Sequence, residues 1–280
     1  MTRLDRLPPA RPFFLDTGRG RRFCLHHAPH LHNACGETIL YVHPFGEEMN
    51  LSRRMAALQA RTFAAAGFGV LQIDLDGCGD SEGESAQATW GAWQQDLAAA
   101  ATWLLDHGYE RLSVWGLRLG AMLALDFARA TAMPIQRCLL WHPVLAGRPY
   151  IAQLLRQYMV GSLLAGAREG AGGARAALSR GETVEVGGYE LSAQLVAQIE
   201  RMDMTGLCAA SFTLDWFELI PEGQAAVPAA RMDIAREWTR RGVALHLHPI
   251  AGPRFWATQD ISLCPALIDA TTHALAEMTT

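Results

Sequence analysis

Residues 111–128, "RLSVWGLRLGAMLALDFA", run from a β-rich stretch straight into a helix-forming one through Gly116-Leu-Arg-Leu-Gly120. Two glycines four apart at such a junction mark a tight turn, in which the start of a helix comes close to a neighbouring strand. The local order is therefore strand, turn and helix. A parallel sheet wound with crossover helices is the architecture that repeats this order along a chain.

The rest of the sequence repeats it. Strands are expected at 37–44, 67–75, 111–116, 137–143, 211–220 and 242–250, with a leading hairpin near "RPFFLD" and "RRFCLHHA". Trp93, Leu97, Ala100 and Leu104 recur at helical spacing, and Leu51, Met55, Leu58 and Thr62 or Phe63 follow the same rhythm. Each segment gains an apolar face to lay on the sheet. The 280 residues, 50% of them hydrophobic, are enough for one large buried core of this kind.

The alternation breaks after "WHPVLAGRPY". Residues 147–208 hold an amphipathic piece from Ile151 to Leu164, the stretch "GAREGAGGARAALSRG" and a short hairpin at "ETVEVGGYEL". The glycines of the middle stretch argue for flexible or irregular backbone. The expected organisation is a core in two parts, residues 1–146 and 209–280, with 147–208 inserted as a lid over the carboxyl edge of the sheet.

Several functions are excluded by composition. A net charge of −4 gives no footing for nucleic acid. All 24 basic residues are arginine, which removes Schiff-base lysine chemistry and a P-loop lysine. The N-terminus lacks a signal-peptide apolar region, and no stretch reaches the roughly 18 apolar residues of a membrane span, so a cytoplasmic protein is expected. Cys24, Cys35, Cys78, Cys138, Cys208 and Cys264 form no C-x-x-C pair and read as reduced structural thiols. The acid-rich "DLDGCGDSEGE" follows a strand rather than the helix an EF-hand needs, so neither calcium nor any other metal or cofactor is expected.

The chemistry turns on Arg118. Gly116 and Gly120 frame the middle position of a G-x-S-x-G nucleophile elbow, and that position holds arginine instead of serine. A guanidinium stays protonated and has no lone pair for a carbonyl carbon, so Arg118 is not a nucleophile. At the amino end of a helix it can clamp a carboxylate, phosphate or sulfate, or it can form an internal ion pair with Glu47 or Glu48. The loop "HPFGEEMNLSRR" supplies further candidates: His43, Glu47, Glu48, Asn50 and Arg53 for ligand contact, with the amides of Phe45 and Leu119 as oxyanion donors. Its charges also suit the solvated first turn of a helix.

The other triad positions are equally bare. After "LDWFELIPEGQAAVP" no aspartate stands for the acid, although Glu218 or Glu222 could approach it. After "VALHLHPIAGPRFW" the turn that normally offers histidine reads Pro253 and Arg254, while His246 and His248 lie earlier, as core or edge histidines of the strand. Ser81, Ser113 and Ser162 are available hydroxyls without an elbow, and Asp74, Gly77, Gly79 and Ser81 fill a D-x-x-G-x-G-x-S turn that shapes the rim.

Taken together, "YVHPFGEEMN" with "SRRM", "GCGDSEG", "WGLRLGA", "LLWHPVLAGRPYIAQLLR", "VEVGGYELS" and "GPRFW" resemble the exosortase A system-associated hydrolase 2 group of the α/β-hydrolase superfamily, near its serine-aminopeptidase-like branch. The resemblance spans roughly residues 12–270. It implies an α/β-hydrolase fold with a mostly parallel, doubly wound sheet and a lid insertion. It also implies a cytoplasmic bacterial protein linked to exosortase and exopolysaccharide systems. Two functions fit: a degenerate hydrolase fold that binds an anionic, acylated or saccharide ligand, and a hydrolase of esters, thioesters or amides in which Glu47 or Glu48 activates water beside Arg118. Protein partners and homo-oligomers are left open by both.

Overall fold

The computed structural model describes residues 9–30, 34–164, 171–208, 211–223, 226–258 and 260–276, with backbone alone over 157–164 and at 171. A leading hairpin, β1 (Arg11–Asp16) and β2 (Arg21–His27), is followed by β3 (Glu37–Val42), α1 (Glu47–Ala66), β4 (Gly69–Ile73), α2 (Trp90–Asp106), β5 (Arg111–Leu117), α3 (Leu119–Ala130) and β6 (Ile135–Trp141). Then come α4 (Gly147–Leu164), α5 (Ala171–Ser179), the hairpin β7 (Val184–Val186) and β8 (Tyr189–Leu191), and α6 (Ala193–Glu200). The chain continues through β9 (Thr213–Ile220), α7 (Ala229–Arg240), β10 (Leu245–Ala251) and α8 (Pro265–Ala276).

Eight strands form one sheet in the order β1-β2-β4-β3-β5-β6-β9-β10. The pairs from β4 to β10 are parallel, and β1–β2 and β2–β4 are antiparallel. This is the mostly parallel α/β-hydrolase arrangement. Strand β3, "ETILYV", is buried at every position because helices cover both faces of the sheet, as a near-continuous apolar run in a parallel sheet requires. On one face Met55, Ala60 and Phe63 of α1 and Leu267 of α8 pack with Trp115 and Trp141; on the other, α2, α3 and α7 pack with Leu40, Val114 and Trp216. Trp93, Leu97, Ala100 and Leu104, the helical repeat of α2, are all buried there. Thr89 caps this helix by accepting from the Ala92 amide at 3.0 Å.

Both expected hairpins form, and the strand boundaries move by one to three residues at their ends. The expectation of irregular backbone across the glycine-rich stretch is corrected in part: Ala171–Ser179 is helical, because Ala174, Ala177 and Leu178 give it an apolar face that packs on the core. Residues 165–170 of that stretch lie outside the described residues, as does the side chain of Ser162 and the terminal segment 1–8. The excursion that begins with α4 closes on itself. Gly147 donates to the Met202 carbonyl at 2.9 Å and Met204 to that of Leu145 at 2.8 Å, so the two ends of this segment lie side by side. Among the described residues no helix is long and apolar enough to cross a membrane.

Candidate functional site

Strand β5 ends at Leu117 and α3 begins at Leu119, so Arg118 alone makes the turn. Its backbone sits at φ 57° and ψ −117°, a region that costs a non-glycine residue about 1–3 kcal/mol. The turn is held from both sides. The Arg118 amide donates to the Trp141 carbonyl at 3.0 Å, and its own carbonyl accepts from Ala121 at 3.2 Å and Val144 at 3.2 Å. The flanking glycines are required for space. A Cβ on Gly116 would strike the Gly120 carbonyl and the Ala121 backbone, and one on Gly120 would strike the carbonyls of Val42 and His43.

The guanidinium lies at the carboxyl edge of the central strands, and Arg118 is 7% exposed. Its Nε donates to Glu48 Oε1 at 3.0 Å, so the internal ion pair forms, with Glu48 rather than Glu47. Tyr150 donates to the other oxygen of Glu48 at 3.4 Å. The guanidinium carbon lies 5.4 Å from the Trp256 ring centre and 5.8 Å from that of Tyr150, within range of cation–π attraction. Burial pushes the Glu48 carboxyl above its ordinary value, and Arg118 opposes this. Among the described residues no acceptor is bonded to either terminal nitrogen of Arg118.

A second polar cluster adjoins the first. His142, immediately after β6 and also at positive φ (39°), places Nδ1 3.0 Å from Glu218 Oε1, and Arg231 Nε lies 2.8 Å from the same oxygen. The Arg231 contact pairs opposite charges, and neither contact is aligned as a hydrogen bond. The aligned bonds go elsewhere: Trp216 Nε1 donates to Glu218 Oε2 at 3.1 Å, and Arg231 Nη1 to the Pro143 carbonyl at 3.0 Å. Burial lowers the His142 pKa to about 4, against the pull of Glu218, so the imidazole is neutral. Trp256 covers this cluster too, its ring centre 4.8 Å from that of His142.

The other residues singled out from the sequence separate into different places. His43 is buried and spans a turn, with Nδ1 2.7 Å from the Pro44 carbonyl and Nε2 accepting from the Leu75 amide at 3.2 Å. Glu47 and Asn50 are exposed; Asn50 donates to Glu47 at 3.3 Å and to the Tyr189 hydroxyl at 2.8 Å. Arg53 turns away toward Asp74 at 3.4 Å, beside a cavity of about 160 Å³ between α1 and β2. Phe45 and Leu119 come together with His43, Trp93 and Leu123 around a void of about 10 Å³, and Leu119, first in α3, has an amide without an intrahelical acceptor. Tyr189 of the excursion lies over Phe45 with ring centres 6.0 Å apart.

Glu218 joins the buried cluster and Glu222 is exposed. Arg254 is exposed, and Trp256 two residues later reaches the elbow instead. Ser81 is a turn residue that accepts from the Phe23 amide at 2.9 Å, and Ser113 is buried against Glu37 at 2.6 Å. Tyr150, His142, Arg231 and Trp256 escaped the sequence reading. His142-Pro143 repeats His43-Pro44 at the end of a parallel strand, a usable signal; Arg231 offered none, being one of several arginines on α7.

The fold agrees with comparisons to known proteins. Residues 35–183, just over half of the chain, match the family described as serine aminopeptidase, S33. Curated proteins give no significant sequence match. Similar solved structures include Est1E from Butyrivibrio proteoclasticus with bound ferulic acid, at 15% identity and a TM-score of 0.64, covering 95% of this chain and 96% of that one. A thermostable carboxyl esterase from Bacillus coagulans is similar at 13% identity and a TM-score of 0.66, covering 98% and 100%. A proline iminopeptidase-related protein from Thermus thermophilus is similar at 19% identity and a TM-score of 0.62, covering 97% and 99%. These likenesses concern the fold. The chain therefore belongs to the serine aminopeptidase S33 family and has the α/β-hydrolase fold.

Proposed function

We propose that this protein uses the α/β-hydrolase scaffold to bind an anionic or acylated small molecule at Arg118, without serine-hydrolase turnover. The observation that carries the reading is a buried guanidinium at the elbow whose terminal nitrogens have no acceptor among the described residues. A planar fork of donors at a helix amino end, under an aromatic cover, suits a carboxylate, phosphate or sulfate. Residues 147–208 act as the cap of a core formed by 1–146 and 209–280. Tyr150 and Tyr189, which touch Glu48 and Phe45, support that placement. The motif resemblance noted above favours an accessory role beside exosortase and exopolysaccharide systems in the bacterial cytoplasm, where a charged saccharide is a fitting ligand.

A second reading keeps catalysis: Glu48 activates water for attack on an ester, thioester or amide, and the amides of Phe45 and Leu119 hold the oxyanion beside Arg118. The upward push on the Glu48 pKa supports it, since a base poised nearer neutrality accepts a proton better. The binding reading is favoured because both Glu48 oxygens already accept bonds, from Arg118 and Tyr150.

Purified protein and Arg118→Ala are to be compared for fluorophosphonate labelling, for turnover of acyl esters and thioesters, and for calorimetric binding of anionic saccharides. No labelling and no turnover are expected from either, with saccharide binding that weakens in salt and is lost in Arg118→Ala. Turnover that survives purification and falls with the substitution would replace the binding reading by the catalytic one.

A further inference from the structure

We infer that Asp215, His246 and His248 form a site for a divalent transition-metal ion of the zinc type, separate from the elbow. Strands β9 and β10 pair in parallel with His246 directly opposite Asp215, and His248 follows two residues later on the same face. The parity of β9 puts Asp215 on the face covered by α8, whereas Glu218 faces α7. Asp215 Oδ1 lies 3.2 Å from His246 Nδ1 and 3.1 Å from His248 Nε2, and one ligand atom from each residue falls within 4.8 Å of the other two.

Those separations match a chelate. Ligand atoms at about 2.0–2.2 Å from a tetrahedral ion lie roughly 3.4 Å from one another, close to the two carboxylate–imidazole separations, and all three atoms stay within 4.8 Å. The carboxylate is aimed by a second layer of contacts. Arg137 Nη1 holds Asp215 Oδ2 at 3.1 Å and also donates to the Ala274 carbonyl at 2.6 Å, which leaves Oδ1 facing the imidazoles. His248 is stacked on Phe217, with ring centres 4.5 Å apart and planes 12° apart. The His246 side chain, 53% exposed, opens the site to solvent, so water can complete the coordination. Two imidazoles with one carboxylate suit Zn²⁺, Co²⁺ or Ni²⁺; Mg²⁺ and Ca²⁺ favour all-oxygen sets.

Tag-free full-length protein, freed of metal by a chelator, is to be titrated with Co²⁺ by visible absorption and with Zn²⁺ by calorimetry. One equivalent is expected to bind, with a Co²⁺ spectrum lacking thiolate charge transfer. His246→Ala and His248→Ala are each expected to weaken binding roughly tenfold or more. Both positions lie on the edge strand, and unchanged thermal melting in the absence of metal would show that the variants fold. Absence of binding at about 0.1 mM free metal, or binding that both variants leave intact, would overturn the site and reduce the cluster to two imidazoles sharing one carboxylate oxygen.

Discussion

Arg22 and Arg118 are both buried arginines paired with a carboxylate, yet the two regions are built differently. Arg22, in the leading hairpin, has every donor group engaged: Nε with Asp96 at 2.9 Å, Nη1 with the Glu82 carbonyl at 3.0 Å, and Nη2 with Asp76 at 2.8 Å and the Arg19 carbonyl at 3.3 Å. Asp96 in turn accepts from the Asp76 amide at 2.8 Å, locking the loop after β4 to α2. Arg118 has one carboxylate on Nε and two aromatic faces, and it sits on a strained backbone. A saturated arginine is part of the frame. An unsaturated one, buried at the carboxyl edge of the sheet, keeps terminal nitrogens without an acceptor among the described residues.

Stability measurements separate the two most sharply. Arg22→Met leaves Asp96 buried without its cation and Asp76 with only Arg19 at 3.9 Å, and is expected to cost about 4 kcal/mol in urea denaturation. Arg118→Met is expected to cost only about 2 kcal/mol, because one carboxylate rather than two loses its cation and Glu48 keeps its bond from Tyr150. Equal losses would put Arg118 in the frame alongside Arg22 and remove the contrast.

Acid should act on the elbow side as well. The His142 pKa is lowered to about 4 in the folded protein, from an ordinary 6.5, so below pH 6.5 the unfolded chain takes up a proton that the folded one refuses. The stability that this group contributes is complete above pH 6.5 and is lost as the pH falls toward 4. Between pH 7 and pH 5 the loss is on the order of 2 kcal/mol, and it is expected to shrink in His142→Asn. An unchanged pH profile in that variant would move the effect to the half-buried His26 and the buried His27 and His43, whose pKa values are also lowered.

The smallest effect is expected at Glu47. It neighbours Glu48 in sequence but is exposed and bonded only to Asn50 among the described residues, so Glu47→Gln should change stability by no more than about 0.5 kcal/mol and leave the proposed saccharide binding intact. A larger loss of binding would place Glu47 beside Arg118 and Glu48 in the proposed site.

The strand and helix order and the arginine between Gly116 and Gly120 follow from the sequence directly. Alternation, helical spacing and paired glycines are local signals, and they fix which segments form strands and where the chain turns. The same signals are faint in α7, whose many arginines mask the buried Ile234, Ala235 and Trp238, and in the stretch 171–179, where glycine content outweighed the alanines that pack. Only the tertiary structure decided which of two adjacent glutamates meets Arg118, that His43 latches a turn, and that Trp256 closes over the elbow. It also decided that His246 and His248 converge on Asp215. Those outcomes depend on side chains far apart in sequence that meet across strands and loops, and a few tenths of a nanometre separate a bonded pair from a solvated one.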